Sequence, residues 1–200
     1  MPYKPTERVY RSMAVMAPNE DRAYHVRGYA STFDRYLLLE DGDGGFYEQI
    51  DARAFDHADM ADVILQYDHE GRVFARTSNG TLQVGVDDHG LWVDADLSRT
   101  SLARQLYEDI QAGMITRMSF CFTVADSRID EATNTGIILA IGKVYDVSAV
   151  SIPANPGTEI EARSAWDGVI LSARAERRER QARKRRMALR LRIMEVQSHG

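Results

Sequence analysis

The stretch Ile115-Thr116-Arg117-Met118-Ser119-Phe120-Cys121-Phe122-Thr123-Val124 (ITRMSFCFTV) alternates large apolar residues with polar or small ones. Period two is the signature of a β-strand with two unlike faces. Met118, Phe120, Phe122 and Val124 share one face, and Arg117, Ser119, Cys121 and Thr123 share the other. A second β-rich run, Ile137 to Ile152 (IILAIGKVYDVSAVSI), reads as two strands or as one strand bent at Gly142. Pro153-Ala154-Asn155-Pro156-Gly157 breaks it.

Working upstream, a helix precedes ITRMSFCFTV. Thr100 or Ser101 caps its start by accepting a backbone N–H bond, and Leu102, Leu106 and Ile110 form an apolar stripe at i, i+4 and i+8. Gly113 is placed to end it in the left-handed conformation. Further upstream, residues 81–86 and 91–97 alternate around Asp87-Asp88-His89-Gly90, which reads as a hairpin turn. Short strands are also expected at Tyr24 to Phe33, with Gly28 marking a bulge, at Phe46 to Ile50, at Val63 to Tyr67 and at Arg72 to Thr77. Residues 1–20, with Pro2, Pro5 and Pro18, read as an irregular leader, and residues 40–45 as an acidic turn. Many short strands with one inserted helix predict an α+β chain, mainly an antiparallel β-barrel or compact sheet with a few surface helices.

At 200 residues the chain has room for one domain of ordinary size and a short appendage. A composition 44% hydrophobic and 28% charged is that of a globular protein, which excludes disorder along the whole length. Charge divides the chain. Residues 172–200 hold ten Lys and Arg against three Asp and Glu, a net of +7; the remaining 15 basic and 27 acidic residues leave 1–171 at −12, and the whole at −5. An acidic body (21–171) and a basic, helical tail (172–200) are therefore expected as separate functional units. No apolar run reaches the roughly 20 residues that span a bilayer, and no apolar stretch of a secretory signal stands near the start. Cys121 is the single cysteine, so no intramolecular disulfide forms and a reducing cytoplasm is expected.

Several standard motifs are missing: there is no GxSxG nucleophile elbow, no GxxxxGK[ST] loop, no HExxH and no CxxC pair. Asp41-Gly42-Asp43-Gly44-Gly45 has the flavour of a calcium loop, but the twelfth position, where such a loop needs a bidentate Glu, is Ala52. No metal and no cofactor are expected. Among five histidines, His69 follows the apolar strand and is flanked by Asp68 and Glu70, a setting that suits a general base as well as an ordinary loop histidine. Ser119 lies mid-strand opposite the large apolar residues; it is a nucleophile only where a base removes its proton, and otherwise a strand serine. Cys121 shares its face, as a second nucleophile or an inert small hydrophobe. Asp146 sits among Val144, Tyr145, Val147, Ala149 and Val150, where a carboxylate must be paired. Orienting an imidazole and pairing with Arg117 or Arg27 are both open to it.

Taken in order, these residues and their contexts resemble the prohead-maturation serine proteases of tailed bacteriophages, which are similar in fold to the herpesvirus assemblins. The resemblance runs through Arg27-Gly28-Tyr29-Ala30-Ser31-Thr32-Phe33, Gln66-Tyr67-Asp68-His69, Asp96-Leu97-Ser98-Arg99-Thr100, Ile110-Gln111-Ala112-Gly113-Met114-Ile115 and Arg117-Met118-Ser119-Phe120. It ends at Asp146-Val147-Ser148-Ala149-Val150 and Pro153-Ala154-Asn155-Pro156, so it covers about residues 24–160.

The resemblance implies a serine endopeptidase with His69 as base, Ser119 as nucleophile and a third catalytic residue near Asp146. Phage relatives commonly carry the longer Glu at that place, and Asp68 is the other acid in view. Backbone near Asn155 and Gly157 is the implied oxyanion hole. The implied substrates are the major capsid protein or a scaffolding protein, and the protease itself. The implied place is the interior of the immature capsid in the host cytoplasm. A homodimer is possible on the same ground, membranes are not involved, and nucleic acid is reserved for the basic tail. The alternative is a non-catalytic capsid assembly protein that keeps the fold and binds a partner or nucleic acid through that tail.

Overall fold

The computed structural model describes residues 8–19, 21–39, 45–151, 175, 179 and 182–187. Through residue 151 the described residues form, in chain order, β1 (Arg8–Pro18), β2 (His25–Thr32), β3 (Tyr36–Leu39), β4 (Phe46–Ile50), β5 (Ile64–Tyr67), β6 (Glu70–Arg76), β7 (Leu82–Val86), β8 (Gly90–Asp96), α1 (Ser101–Gln111), β9 (Arg117–Asp130) and β10 (Thr135–Val150). The strands hydrogen-bond in the order β3-β4-β10-β9-β1-β2-β8-β7, with β5 on β10 and β6 on β5. The chain is thus mainly β with little helix, as expected, but the described strands do not close into a barrel.

Nor is the sheet wholly antiparallel. β9 and β10 form a long antiparallel pair, and β10 uses its other edge twice. Its first residues pair parallel with β4 (Ile138 opposite Ile50), and its last pair parallel with β5 (Val147 opposite Leu65). β10 is one strand, not two. Its pairing with β9 shifts register around Ile141 and Lys143, and Gly142 between them leaves room for the Thr123 hydroxyl, 3.1 Å from where a Cβ would stand. The irregularity expected at Gly28 lies one step on, between Tyr29 and Ser31.

The residues read as a leader contain β1, which pairs antiparallel with both β9 and β2. Its anchor is ionic. Arg11 on β1, 3% exposed, forks onto the fully buried Glu48 of β4, with Nε to Oε1 at 2.5 Å and the second arm to Oε2 at 2.8 Å. β1 and β4 are three strands apart, which in a flat sheet is about 14 Å. A curled sheet brings the two side chains together over the interior. Tyr36 of β3 also donates its hydroxyl to Glu48.

Met118, Phe120, Phe122 and Val124 are all buried, and the Phe120 and Phe122 rings stack 4.4 Å apart. The opposite face is buried too: Ser119, Cys121 and Thr123 are at most 4% exposed. α1 begins where Thr100 Oγ1 accepts the Ala103 N–H at 3.1 Å. It ends in a Schellman motif, with Gly113 at φ +72°, its N–H on Ile110 and the Met114 N–H on Asp109. The buried stripe is Ala103, Leu106 and Ile110; Leu102, expected in it, is 37% exposed. Residues 175, 179 and 182–187 are helical and exposed. The rest of the tail, the acidic turn at 40–44 and the segment 153–157 lie outside the described residues.

Replacing Arg11 by Met leaves the Glu48 carboxylate buried without its counter-charge. The expected cost in urea unfolding is about 3–5 kcal/mol, and Arg11→Met/Glu48→Leu recovers most of it. A single variant as stable as wild type would mean that the Arg11–Glu48 pair does not anchor β1.

Candidate active site

β5 and β6 are joined by a two-residue hairpin turn. Tyr67 pairs with Glu70, and the residues between them, Asp68 (φ +48°) and His69 (φ +59°), are both left-handed. Two successive positive φ values define a type I′ turn, which suits the twist of the flanking strands and usually holds Asn or Gly. Here it holds Asp and His, and β10 steadies it. The Asp68 N–H donates to the Ala149 carbonyl at 2.9 Å. The Asp68 carboxylate accepts the Ser151 N–H at 3.0 Å and the Ser151 hydroxyl at 2.9 Å. The His69 N–H donates to Ser148 Oγ at 3.2 Å.

The turn aims the His69 ring across the sheet. In register, Ser119 of β9 lies opposite Ser148 of β10, and Cys121 lies opposite Asp146, so all four side chains share one face. His69 Nε2 lies 2.7 Å from Ser119 Oγ, and His69 Nδ1 lies 2.6 Å from Asp146 Oδ1. A carboxylate only accepts, so Nδ1 carries the proton and the lone pair on Nε2 faces the serine hydroxyl. The shorter Asp146 therefore reaches the ring. The three residues expected to carry chemistry, 50 and 77 positions apart from His69 in sequence, meet in one chain of hydrogen bonds. The site is shielded: the His69 side chain is 15% exposed, Asp146 7% and Ser119 2%.

The other readings of these residues resolve differently. Asp68 spends its carboxylate on Ser151 and not on the imidazole. Asp146 bonds to His69 and Ser148 rather than pairing with Arg117 or Arg27. Cys121 is fully buried, and its thiol is pushed up to about 12, first by burial and then by the charge of Asp146, with a hydrogen bond from Tyr10 working the other way. A thiol that stays protonated at neutral pH is no competitor to Ser119 as nucleophile. His25 pairs with Asp94 at 3.1 Å, and His89 packs edge-on to Tyr29. Asn155 and Gly157 lie outside the described residues.

Two neighbours escaped the sequence reading. Tyr10 of β1 sets its ring edge-on to His69, with centroids 4.7 Å apart. Its phenol is raised to about 12, by burial first and by its hydrogen bond with Cys121 next. Reading β1 as a leader hid it. Ser148 was within reach, because it follows Asp146 by two in a period-two strand. Among the described residues, no group of three or more His, Cys, Asp or Glu side chains is arranged to hold a metal ion, and no helix is long and apolar enough to cross a membrane.

A family model described as caudovirus prohead serine protease matches residues 11–168. The chain belongs to this family. Membership makes it a serine-type protease of tailed-phage proheads. The matched span opens at Arg11, inside β1. Neither a curated protein nor a solved structure matches the chain.

The state of Cys121 is open to a direct test. In the native protein at pH 8 iodoacetamide is expected to leave it unmodified, while the urea-unfolded chain takes one adduct by intact mass. Rapid alkylation of the native protein would contradict a buried, protonated thiol.

Proposed function

We propose that this prohead protease cleaves peptide bonds through an acyl-enzyme on Ser119, with His69 as the base and Asp146 as the residue that orients and stabilises the imidazole. The supporting observation is the continuous relay, Ser119 Oγ to His69 Nε2 at 2.7 Å and His69 Nδ1 to Asp146 Oδ1 at 2.6 Å. In the first step the Ser119 proton passes to His69 Nε2 as Oγ bonds to the scissile carbonyl carbon. The imidazolium then protonates the leaving amine and the C–N bond breaks. In the second step His69 takes a proton from water, the new hydroxide attacks the acyl carbon, the ester bond to Oγ breaks to release the acid, and the imidazolium returns the proton to Ser119 Oγ. Asp146 keeps the Nδ1 proton in place and offsets the charge on the ring without itself being protonated.

The tetrahedral oxyanion needs N–H donors. Our assignment is backbone near Asn155 and Gly157, in the segment that follows the catalytic acid's strand. The assemblin-like fold belongs to the same reading, supported by a mixed sheet in which nucleophile and acid stand on adjacent strands and the base on a turn above them. The proposed substrates are the scaffolding protein or the scaffolding segment of the major capsid protein, together with the protease's own chain, cut inside the immature shell. The basic tail, helical and exposed at Arg183, Lys184, Arg185 and Arg186, is proposed to carry the protease into the shell by binding acidic partners.

The test is co-incubation of wild type, Ser119→Ala, His69→Ala and Asp146→Asn with the phage's capsid and scaffolding proteins, read by intact mass. Fragments are expected only with wild type, and Asp146→Asn, which favours the wrong tautomer, is expected to slow cleavage by about 10⁴-fold. Cleavage at the wild-type rate by Ser119→Ala would reject the reading. Loss of packaging on deletion of 172–200, with cleavage in solution retained, is the outcome expected for the tail.

A further inference from the structure

Ser148 sits in the middle of β10, fully buried, and the mechanism above gives it no step. Its single hydroxyl touches two members of the relay. Oγ lies 2.9 Å from Asp146 Oδ1 and 3.2 Å from the His69 backbone nitrogen. The chemistry of the partners fixes the direction of both bonds. A carboxylate accepts, so the hydroxyl hydrogen points at Asp146; a backbone N–H donates, so His69 gives its hydrogen to a lone pair on Oγ. We infer that Ser148 is a positioning residue of the proteolytic reaction, one that sets the aim of the Asp146 carboxylate and the height of the His69 backbone at once. This inference rests on the Ser119–His69–Asp146 reading.

Two features of this chain make such a residue necessary. An aspartate carboxylate turns about a broad, two-fold torsion, so its rotamer alone does not hold one oxygen on target. Oδ1 is the oxygen that meets His69 Nδ1, and it is the same oxygen that Ser148 grips. His69 in turn stands at φ +59°, a conformation that non-glycine residues adopt only where the surroundings enforce it. The bonds from the Asp68 N–H to Ala149 and from the His69 N–H to the Ser148 hydroxyl are the backbone tethers that hold the two central residues of this turn against β10. Removing the hydroxyl leaves the His69 N–H without this acceptor and Asp146 Oδ1 held by the imidazole alone, while Ala at 148 keeps the strand and its packing.

The measurement uses the full-length chain and a probe that needs no knowledge of the cleavage site. Diisopropyl fluorophosphate labels an activated serine: Oγ bonds to phosphorus, the P–F bond breaks, fluoride leaves, and the serine proton passes to the imidazole. Labelling is followed by intact mass, with Ser119→Ala as reference. Ser148→Ala is expected to be labelled roughly 10- to 100-fold more slowly than wild type, the scale of a sub-ångström loss of alignment. Ser148→Thr, which restores the hydroxyl, is expected to recover most of the rate, and Ser148→Val, its equal in shape, to recover none. A second readout is the far-downfield proton resonance of His69 Nδ1, expected to shift or vanish in Ser148→Ala and Ser148→Val and to persist in Ser148→Thr. A residue that only supports folding would change thermal stability without moving that signal.

Wild-type labelling rates with an unmoved Nδ1 resonance in Ser148→Ala would overturn the inference. So would equal behaviour of the Thr and Val variants, which carry the comparison should the Ala variant not fold. Labelling of Ser119→Ala at the wild-type rate would instead overturn the Ser119 reading beneath it.

Discussion

Everything at the site depends on the register of β9 against β10. Side chains alternate along a strand, so a slip of one residue would exchange the two faces. Phe120 would then stand where Ser119 now meets His69, and Cys121 would take the place of Phe120 in the core beside Phe55. The stacked Phe120 and Phe122, with Met118 fully buried beside them, make that exchange costly. Burying one Phe side chain is worth about 1.5–3 kcal/mol, so several such residues together outweigh any local preference of the polar face. The apolar face thereby fixes the position of the reactive one. Ser119 opposite Ser148 and Cys121 opposite Asp146 are consequences of how the phenylalanines pack.

Around Ser119, Cys121, Asp146 and Ser148 the polar face of these strands is buried as thoroughly as the apolar one, so its chemistry is decided by pairing. A carboxylate 7% exposed needs partners. Asp146 has them in His69 and Ser148, while the Cys121 thiol and the Tyr10 phenol near it are both held protonated at neutral pH. Burial and the neighbouring carboxylate act on the thiol in the same direction. A cysteine two residues from the serine, on the same face, is thus kept protonated first by burial and then by the carboxylate that bonds the histidine. Of the two side chains it is the serine hydroxyl, not the thiol, that meets the imidazole.

What the sequence disclosed follows the range of the interactions involved. Period two in ITRMSFCFTV and the cap and glycine around 101–111 are local signals, and both elements form where those signals lie. His69 at a strand end was legible for the same reason. β1 was not. Its middle residues, Ser12-Met13-Ala14-Val15-Met16, lack a clean alternation, and its pairing with β9 bulges between Ser12 and Ala14. β3 is four residues long and leans on β4. The parallel pairs that β10 makes with β4 and β5 join residues about 80 positions apart, and no local pattern announces them. The ion pair between Arg11 and Glu48 was hidden likewise, since its partners stand 37 positions apart and meet only where the sheet curls. Ordered motifs brought His69, Ser119 and Asp146 together in the reading, but their mutual distances are a property of the sheet alone.

The turn that carries His69 breaks a local rule. A type I′ turn favours glycine or asparagine because a Cβ is strained at positive φ, and a left-handed histidine costs on the order of 1–3 kcal/mol. An Asn-Gly turn at this place would be more comfortable and would have no imidazole. The strain persists because β10 supplies more than it removes: the Ala149 carbonyl, the Ser148 hydroxyl and both donors of Ser151 hold the turn from beneath. The sequence Asp146-Val147-Ser148-Ala149-Val150-Ser151 therefore has two alternating duties. Val147 and Ala149 bury themselves in the core, while Asp146 and Ser148 face the histidine and Ser151 closes on Asp68 at the strand's end. Packing on one side of the strand gives the rigidity that the other side needs in order to keep a strained histidine aligned with its serine.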